Sequence, residues 1–434
     1  MPRESVGTHR FRAALSGAVG ALIFVFPAAH EPASARTDGI PDGHATEVMP
    51  PASTHIAPSS GLFATACTSA GNCVAGGDYQ VGSRPVEPVV ATQSQGRWSR
   101  GIRLLLPPDA ASQPYSQVNG IACSSAGNCV AVGDYEYGRS GSLQAFIATE
   151  SHGKWARAYA PRLPANSSTP GSAQLGAVAC THSGFCEAAG SYQDSAGNEQ
   201  AMALAKPAGG GWRQAIEIGA PASAAANPDA FMTGIACTGP ESCVAVGSYG
   251  VSASRYAALG AIESRGTWHR ATGIATPHGA ISSTFTAIAS ISCLPAGACL
   301  GVGEYAVSAT QSRAMSVTES KGRFSAATAI TAVPSGASQH PSTYLLGVSC
   351  TSTGTCLAVG GGRNAAGHSV AMYMTRSRGH WRATFLSPPA RAGTGTYTLS
   401  ALYSVSCTDR DECTAVGYFN DRTGARHAEA ASTR

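Results

Sequence analysis

The cysteines of this chain are arranged with a regularity that few folds can accommodate. Fourteen cysteines form seven pairs, with five residues between the two members of each pair. Successive pairs begin 56 or 57 residues apart. A fixed period of this length indicates one supersecondary unit repeated along the chain, here seven times. The pairs are Cys67/Cys73, Cys123/Cys129, Cys180/Cys186, Cys237/Cys243, Cys293/Cys299, Cys350/Cys356 and Cys407/Cys413.

Other residues recur with the same period as the cysteines. A glycine always stands four residues after the second cysteine, and an aromatic residue usually follows it two positions later. A Gly-x-aromatic sequence comes next and contains every tryptophan of the chain. Recurrence in every unit favours packing: glycine for the close approach of neighbouring sheets and tryptophan as a filler. The glycines are Gly77, Gly133, Gly190, Gly247, Gly303, Gly360 and Gly417, and the later aromatics are Trp98, Trp155, Trp212, Trp268, Phe324 and Trp381.

Each unit has the pattern of four short strands. In the second unit, the predicted strands are 118–123, 129–135, 145–150 and 155–159, separated by turns rich in glycine, serine and asparagine. No segment shows sustained helical periodicity. Four antiparallel strands repeated seven times predict an all-β fold, a seven-bladed β-propeller.

The two ends of the chain complement each other. The last unit stops at Arg434, before its fourth strand could form. Counting back from Cys67 by the usual distance places a matching segment at Gly43–Met49. We therefore expect this segment to close the ring as the outermost strand of the final blade. The first strand of each unit is then innermost, and residues 43–434 form a single domain.

The first 35 residues resemble a secretory signal peptide. Arginines precede the apolar run Ala13–Phe26, and small residues follow it. We expect cleavage after Ala35, with Ala29 as the second choice, and residues 36–42 as a short linker. An uncleaved N-terminal anchor is the alternative. The mature chain is expected outside the cell or in the cell envelope, without stable membrane insertion.

The spacing of each cysteine pair suits a disulfide across a hairpin. Paired strand residues lie about 4.5–5.5 Å apart, within reach of a disulfide. We therefore expect seven disulfides, one in each blade. A zinc site needs four converging ligands, but each turn offers only two. The sequence accordingly predicts no metal site and no cofactor.

The layout resembles the kelch type of propeller repeat, in which a hairpin ends in glycine and an aromatic, a loop, a strand and a tryptophan follow. The double glycine of that pattern appears only at Gly76-Gly77 and in Gly360-Gly361-Gly362. The cysteines are foreign to it. The full repeat looks more like repeats of secreted, mostly actinobacterial proteins of unassigned function. The resemblance implies the fold over residues 42–434 but no activity.

Charge is scarce, and its position is informative. Only 12% of residues are charged and the net charge is +4, which argues against a nucleic-acid binder. Much of the charge lies in the loops between the second and third strands, where function usually resides. A solvated polar rim is the alternative interpretation. The candidate binding residues are Asp78, Asp134, Arg139, Arg255, Glu304, Arg313, Arg363 and Asp421.

Two functions are compatible with this pattern. Near-uniform blades without a catalytic motif favour a non-catalytic binding or scaffold protein. It is expected to be a monomer and to recognise an extracellular glycan, an envelope component or a protein. The alternative is a secreted hydrolase or lyase acting on glycans. It requires a pair of carboxylates about 5–9.5 Å apart, and Asp78, Asp134 and Glu304 are its repeated candidates.

Overall fold

The computed structural model describes residues 45–433 apart from 53–58, 81, 83–84, 139–140, 170, 282–284, 295–296, 390, 394–398 and 409–411. The described residues form seven antiparallel sheets. None of them builds a helix long and apolar enough to cross a membrane. The predicted signal peptide and linker lie outside the described residues.

The strands follow one another blade by blade. The closing strand is β1 (Thr46–Glu47). Blade one contains β2 (Ser59–Ser69), β3 (Asn72–Gln80), β4 (Val86–Ser94), β5 (Arg97–Trp98) and β6 (Ile102–Arg103). Blade two contains β7 (Ser116–Ser125), β8 (Asn128–Tyr137), β9 (Ser142–Ser151) and β10 (Lys154–Trp155). Blade three contains β11 (Ala173–Cys180), β12 (Cys186–Gln193), β13 (Glu199–Lys206) and β14 (Ile216–Ile218).

The remaining blades repeat this order. Blade four contains β15 (Phe231–Gly239), β16 (Ser242–Ser252), β17 (Arg255–Ser264), β18 (Thr267–Trp268) and β19 (Thr272–Gly273). Blade five contains β20 (Thr286–Cys293), β21 (Cys299–Ala306), β22 (Ser312–Ser320), β23 (Arg323–Phe324) and β24 (Thr328–Ala329). Blade six contains β25 (Thr343–Cys350), β26 (Cys356–Arg363), β27 (Ser369–Ser377) and β28 (His380–Phe385). Blade seven contains β29 (Ser400–Cys407), β30 (Cys413–Asn420) and β31 (Arg426–Ser432).

The first strands of the blades are the inner strands of a closed ring. Each contacts the first strand of the next blade, and β29 of blade seven returns to β2 of blade one. In blades one, four and five, the outer strand is split into two pieces that both pair with the third strand. The predicted seven-bladed propeller with four antiparallel strands per blade is confirmed.

The N-terminal segment completes the last blade, as the sequence predicts. Strand β1 pairs antiparallel with β31, with Thr46 opposite Ala430 and Glu47 opposite Glu429. The regular pairing is shorter than the predicted strand Gly43–Met49. It is extended by a hydrogen bond from the Val48 amide to the Ala428 carbonyl, 3.0 Å long. Joining both chain ends in one sheet closes the ring.

All seven predicted disulfides are present, each within its own hairpin. The two cysteines are directly opposite each other, as Cys180 and Cys186 are. The turn between them contacts the turn between the third and fourth strands: the Gly96 amide donates to the Gly71 carbonyl over 2.9 Å. We call this end of the propeller the cysteine face and the opposite end the funnel face. Seven disulfides are typical of an extracellular protein.

The two cysteines of a pair differ in burial. The first is partly buried, whereas the second lies in the packed interior of its blade. These second cysteines are therefore structural residues that no ligand can reach, and each is held in its disulfide. The buried second cysteines are Cys73, Cys129, Cys186, Cys243, Cys299, Cys356 and Cys413.

The position of the second cysteine also corrects a predicted strand bound. In the second unit, the sequence pattern starts the second strand at Cys129. In blades one, two and four the strand instead starts one residue earlier, so Cys73, Cys129 and Cys243 lie inside their strands. The reason is one further pair at the turn: Ser69 with Asn72, Ser125 with Asn128 and Gly239 with Ser242. The disulfide therefore joins two residues within the ladder, not at its end.

The repeated glycine is a packing residue, but its neighbour differs from the predicted one. A β-carbon on Gly190 would lie 1.9 Å from the carbonyl oxygen of Gln174, and one on Gly303 would lie 2.0 Å from that of Ala287. These carbonyls belong to the inner strand of the same blade, not to a neighbouring sheet. A β-bulge just beyond the contact, between Leu175 and Ala177 in blade three, shifts the register of the inner strand. The glycine is therefore required by the hairpin itself.

The later aromatics fill the spaces between blades, in agreement with the sequence. Trp212 of blade three packs on a cluster shared by blades two and three, and Trp268 packs on the next cluster round the ring. The Trp268 indole also donates to Glu187 of blade three over 3.1 Å. The interface of blades six and seven instead contains Ala45, which adjoins the closing strand.

Candidate functional site

The strand registers bring three sets of positions together at the funnel face. They share one side of each sheet, because side chains alternate along a strand. The second-strand set is Asp78, Asp134, Ser191, Ser248, Glu304, Gly361 and Tyr418, and the inner-strand set opposite it is Gly61, Gln117, Gln174, Phe231, Ala287, Tyr344 and Ala401. The third-strand set is Val86, Leu143, Glu199, Tyr256, Ser312, Ser369 and Arg426. We call these positions the funnel mouth; they include four carboxylates and one arginine.

Arg426 joins the last blade to the first at the funnel mouth. Its guanidinium forms an ion pair with Asp78, whose side chain is only 2% exposed. The guanidinium carbon also lies 5.7 Å from the ring centre of Phe63 and 5.3 Å from that of Tyr418. Burial lowers the pKa of Arg426, but the charge and hydrogen bond of Asp78 outweigh burial and raise it overall. The arginine is thus fixed as a cation with its charge already balanced.

Aromatic rings surround this ion pair. Phe63 and Tyr403 meet edge to face with ring centres 5.1 Å apart, and Tyr403 stacks on Tyr418 at 5.6 Å. Burial raises the pKa of Tyr344 to about 12 and that of Tyr403 well above its ordinary value. Both phenols therefore remain neutral and can donate hydrogen bonds at physiological pH. We call Phe63, Tyr344, Tyr403 and Tyr418 the aromatic wall.

A pair of carboxyl groups lies between blades three and four. Glu199 accepts a 2.5 Å hydrogen bond from the Ser191 hydroxyl. Burial raises the pKa of Glu199 to about 7, and the charge of Asp229 and a hydrogen bond to it act in the same direction. Asp229 has a φ of 42°, an uncommon conformation for a non-glycine residue. The Tyr256 hydroxyl donates to its carboxylate. Near neutral pH, the Glu199 carboxyl can therefore hold or release a proton.

Glu304 is the second proton-holding carboxyl of the funnel mouth. It is partly exposed near the end of β21, and burial of its carboxyl raises its pKa to about 7, while a hydrogen bond with Ser312 opposes the shift. Its charge also contributes to the raised pKa of Tyr344, which places the two groups within electrostatic reach. Glu304 can therefore hold or release a proton near pH 7.

Asp134 is a buried residue of the funnel mouth that contacts neighbouring side chains. It is 1% exposed and accepts a 2.7 Å hydrogen bond from the Asn119 amide. The same amide donates to the Leu175 carbonyl of blade three over 3.1 Å, and Gln117 donates to Asn119 over 2.7 Å. Like Asp78, Asp134 is buried, and both contact neighbouring side chains. Their role in binding stays a prediction.

The other predicted binding residues lie outside the funnel mouth. Arg255 is exposed at the start of β17, and Arg313 stands opposite Tyr305. Arg363 ends β26 directly opposite Ser369 of the third-strand set. Asp421 follows β30 and lies 3.0 Å from the His427 ring, which also contacts Glu47 of the closing strand at 3.1 Å. Asp421 therefore helps to close the ring. Arg139 lies outside the described residues, so it stays a prediction.

Several residues of the site were not among the sequence candidates. Glu199 and Arg426 occupy the third-strand set, where other blades have valine, leucine, tyrosine or serine. Tyr344 replaces residues such as Gly61 and Ala287 of other inner strands. Alignment of the units beyond the cysteines could have revealed these exceptions. In the part of the chain that the structure describes, no three histidine, cysteine, aspartate or glutamate side chains could together hold a metal ion.

Comparison with known proteins identifies the architecture. No protein-family model matches the chain, and no curated protein matches it. A solved protein of unknown function from Dyadobacter fermentans matches 91% of this chain and 99% of its own length, with a TM-score of 0.50 and 10% identity. A Trypanosoma rangeli sialidase bound to a difluoro sugar matches 90% of this chain at a TM-score of 0.50 and 9% identity. The α-L-arabinanase of Penicillium chrysogenum matches 90% of this chain and 98% of its own length, at a TM-score of 0.44 and 9% identity.

The comparisons correct one prediction from the sequence. The chain spans 58% of the length of that sialidase, and such low identity establishes the fold alone. The expectation of a non-catalytic binding or scaffold protein nevertheless rested on near-uniform blades without a recognised catalytic motif. That inference does not hold, because a sialidase shares this fold at 9% identity. The prediction of a non-catalytic binding or scaffold protein is therefore not kept.

Proposed function

We propose that the protein is an extracellular hydrolase acting on a neutral glycan, with its reaction centre at the funnel mouth. One observation carries the proposal: Glu199 and Glu304 are both partly exposed at the funnel mouth, and both have pKa values of about 7. Glycoside hydrolysis commonly uses one carboxylic acid to protonate the leaving oxygen and one carboxylate to act on the sugar or on water.

Glu304 is suited to the role of general acid. A general acid works best when its pKa lies near the working pH, and enzymes raise glutamate to about 6–7 for this purpose by burial. Glu199 supplies the second carboxyl centre, because a carboxyl with a pKa of about 7 is ionised in a large share of the molecules near neutral pH. Activity should fall above about pH 7 as Glu304 loses its proton.

The walls of the funnel mouth suit a sugar. Phe63, Tyr403 and Tyr418 offer ring surface, and neutral phenols and amides offer hydrogen bonds, a combination typical of small-molecule sites. The charge favours a neutral glycan. Arg426 is the single cation of the three sets and already pairs with Asp78. An anionic sugar would instead meet the carboxyl groups of Glu199 and Glu304.

Activity on a panel of glycans tests the proposal. The disulfide-bonded protein is incubated with neutral substrates (arabinan, galactan and chromogenic pentosides and hexosides) and with acidic ones (sialosides and polygalacturonate), and new reducing ends are measured. We expect turnover of a neutral member and a loss of about 10²–10⁴-fold in kcat for Glu304→Gln. Glu241→Gln is the matched control and should keep full activity, because its side chain is 43% exposed in a turn of the cysteine face.

Two outcomes would contradict the proposal. One is the absence of hydrolysis across the panel. The other is a Glu304→Gln variant that is as active as the wild type, since the carboxyl that donates the proton would then lie elsewhere.

A further inference from the structure

A groove opens at the outer edge of the ring between blades four and five, away from the central channel. Its volume is about 550 Å³. One side is lined by residues of blade four, among them Gly260, His269, Arg270 and Thr272, and the other side by Gly322–Ala326 of blade five. We call it the outer groove. A volume of this order lies in the range of ordinary ligand sites.

Two exceptions to the repeat meet in this groove. Gly260 occupies a third-strand position at which every other blade carries a side chain, and Phe324 is the one phenylalanine in the tryptophan slot. A β-carbon on Gly260 would lie 2.3 Å from the Phe324 ring, so the ring requires a glycine beneath it. The positions equivalent to Gly260 are Val90, Ile147, Ala203, Ser316, Tyr373 and Ala430.

The polar lining of the outer groove is basic. Arg270, Arg323 and His269 line it, and no aspartate or glutamate among the described residues does. The His269 ring nitrogen Nε2 lies 2.7 Å from the Ser264 hydroxyl. Within the described part of the chain, neither arginine forms an ion pair. Both arginines are exposed.

We propose that the outer groove binds a uronate-bearing acidic glycan, as a second site independent of the funnel mouth. Arginine guanidinium groups bind carboxylates through paired, charge-assisted hydrogen bonds. The Phe324 ring, which lines the same groove, offers an apolar surface for the sugar ring. A nucleic acid fits less well, because the basic area is confined to one groove and the net charge of the whole chain is +4.

Binding of an oligogalacturonide, measured by calorimetry at two salt concentrations, tests this site. We expect saturable binding that weakens with salt, and no binding of an uncharged oligosaccharide of the same length. Arg270→Gln and Arg323→Gln should each weaken binding about tenfold, the effect of losing one charge-assisted hydrogen bond. Arg265→Gln removes the same charge from an adjacent exposed turn that does not line the groove, and it should change binding less than twofold.

A filling variant gives a second, charge-neutral test. Gly260→Val should displace Phe324 and abolish binding, while circular dichroism reports whether the fold persists. The proposal is overturned if the oligogalacturonide does not bind, if the uncharged sugar binds equally well, or if Arg265→Gln weakens binding as much as Arg323→Gln. Binding of a sulfated oligosaccharide alone would also contradict it. The groove variants do not change any residue of the funnel mouth. Loss of glycan binding at the outer groove and loss of hydrolysis at the funnel mouth can therefore be told apart.

Discussion

Each hairpin of this protein can form only because one glycine in it has no β-carbon. The bulge of the inner strand brings a carbonyl oxygen to about 2 Å from the place where a side chain on the facing glycine would begin. A β-carbon on the neighbouring Gly76 would instead meet the end of the Ile121 side chain at 2.6 Å, which can move more easily than backbone. The recurrence of glycine at the first of these positions therefore reflects a steric requirement inside each blade.

Substitution at one of these glycines should be severe. We expect Gly190→Ala to lower the free energy of unfolding by more than about 2 kcal/mol, because the new methyl group must displace the Gln174 carbonyl. Gly211→Ala in the same blade is the control, since no atom lies within 4 Å of its added carbon. Urea unfolding of the two variants measures the difference. Equal stabilities would show that the strand relaxes without cost.

Residues that repeat and residues that break the repeat differ in how well a sequence reveals them. Trp212 and Gly190 recur in other units, so their packing roles follow from the period alone. Glu199, Tyr344 and Arg426 are exceptions, and one sequence does not distinguish a functional exception from neutral variation. Their importance depends on register, which places Glu199 beside Ser191 and Arg426 beside Asp78. The candidate site was therefore only partly predictable.

At the scale of elements, the closing strand β1 (Thr46–Glu47) is only two residues long, yet it completes the sheet of blade seven. Val48 and Ala45, which flank it, are 3% and 7% exposed, and both belong to hydrophobic clusters at the two interfaces of blade seven. Glu47 also bridges Arg391 at 2.9 Å and the His427 ring. Without this segment, β31 would present an unpaired edge, and exposed edges promote association.

Truncation tests the contribution of this strand. A variant that begins at residue 51 should melt at a lower temperature than one that begins at residue 43, and it should form oligomers through the free edge of β31. Differential scanning calorimetry and size-exclusion chromatography measure the two effects. If both variants were equally stable monomers, closure by β1 would be dispensable.

The outer strands were the least predictable elements. The unit pattern predicts a continuous strand at 155–159, whereas the structure has β10 at Lys154–Trp155 and a separate bridge between Ile147 and Tyr159. An outer strand has one neighbour and faces solvent on its other edge, so its sequence is less constrained by pairing. Inner strands pack on both sides, and the one predicted at 118–123 lies within β7.

At the scale of the whole molecule, several of the few acidic residues have carboxyl groups whose pKa is raised by burial. Burial raises the pKa of Glu187 and Glu429 to about 8 and that of Glu199, Glu263 and Glu304 to about 7. In the unfolded chain, glutamates titrate near their ordinary value of about 4.3. Between that value and pH 7–8, the folded protein therefore binds more protons than the unfolded chain.

These acids set the sign of the pH dependence. Stability falls as pH rises wherever the native state binds more protons, so these five groups destabilise the fold progressively from about pH 4.5 to pH 8. Asp194 and Asp421 act at the acid end. Burial acts to raise their pKa values, but their hydrogen bonds outweigh it and hold both below the ordinary range. Their contribution is lost as pH falls below about 4. Maximum stability should therefore lie in mildly acidic solution.

Glu429 offers the sharpest test of this behaviour. It is fully buried, and neither carboxyl oxygen has a hydrogen-bond partner among the described residues. The equivalent residues of the other blades are all apolar: Val89, Phe146, Met202, Leu259, Met315 and Met372. A glutamate at this position therefore contributes an ionisable group where the fold elsewhere uses only packing.

We expect Glu429→Met to raise the free energy of unfolding at pH 8 by about 1–4 kcal/mol, the gain commonly found when a buried charge is replaced by a fitting apolar side chain. The gain should shrink at pH 5, because the carboxyl of Glu429 is then protonated and its burial costs less. Urea unfolding of the wild type and the variant from pH 5 to pH 8.5 measures both quantities, with Glu217→Gln as the control for an exposed glutamate of the outer strand β14. If the free energy of unfolding of Glu429→Met changed with pH as steeply as that of the wild type, Glu429 would not be one of the groups that bind a proton in the folded state.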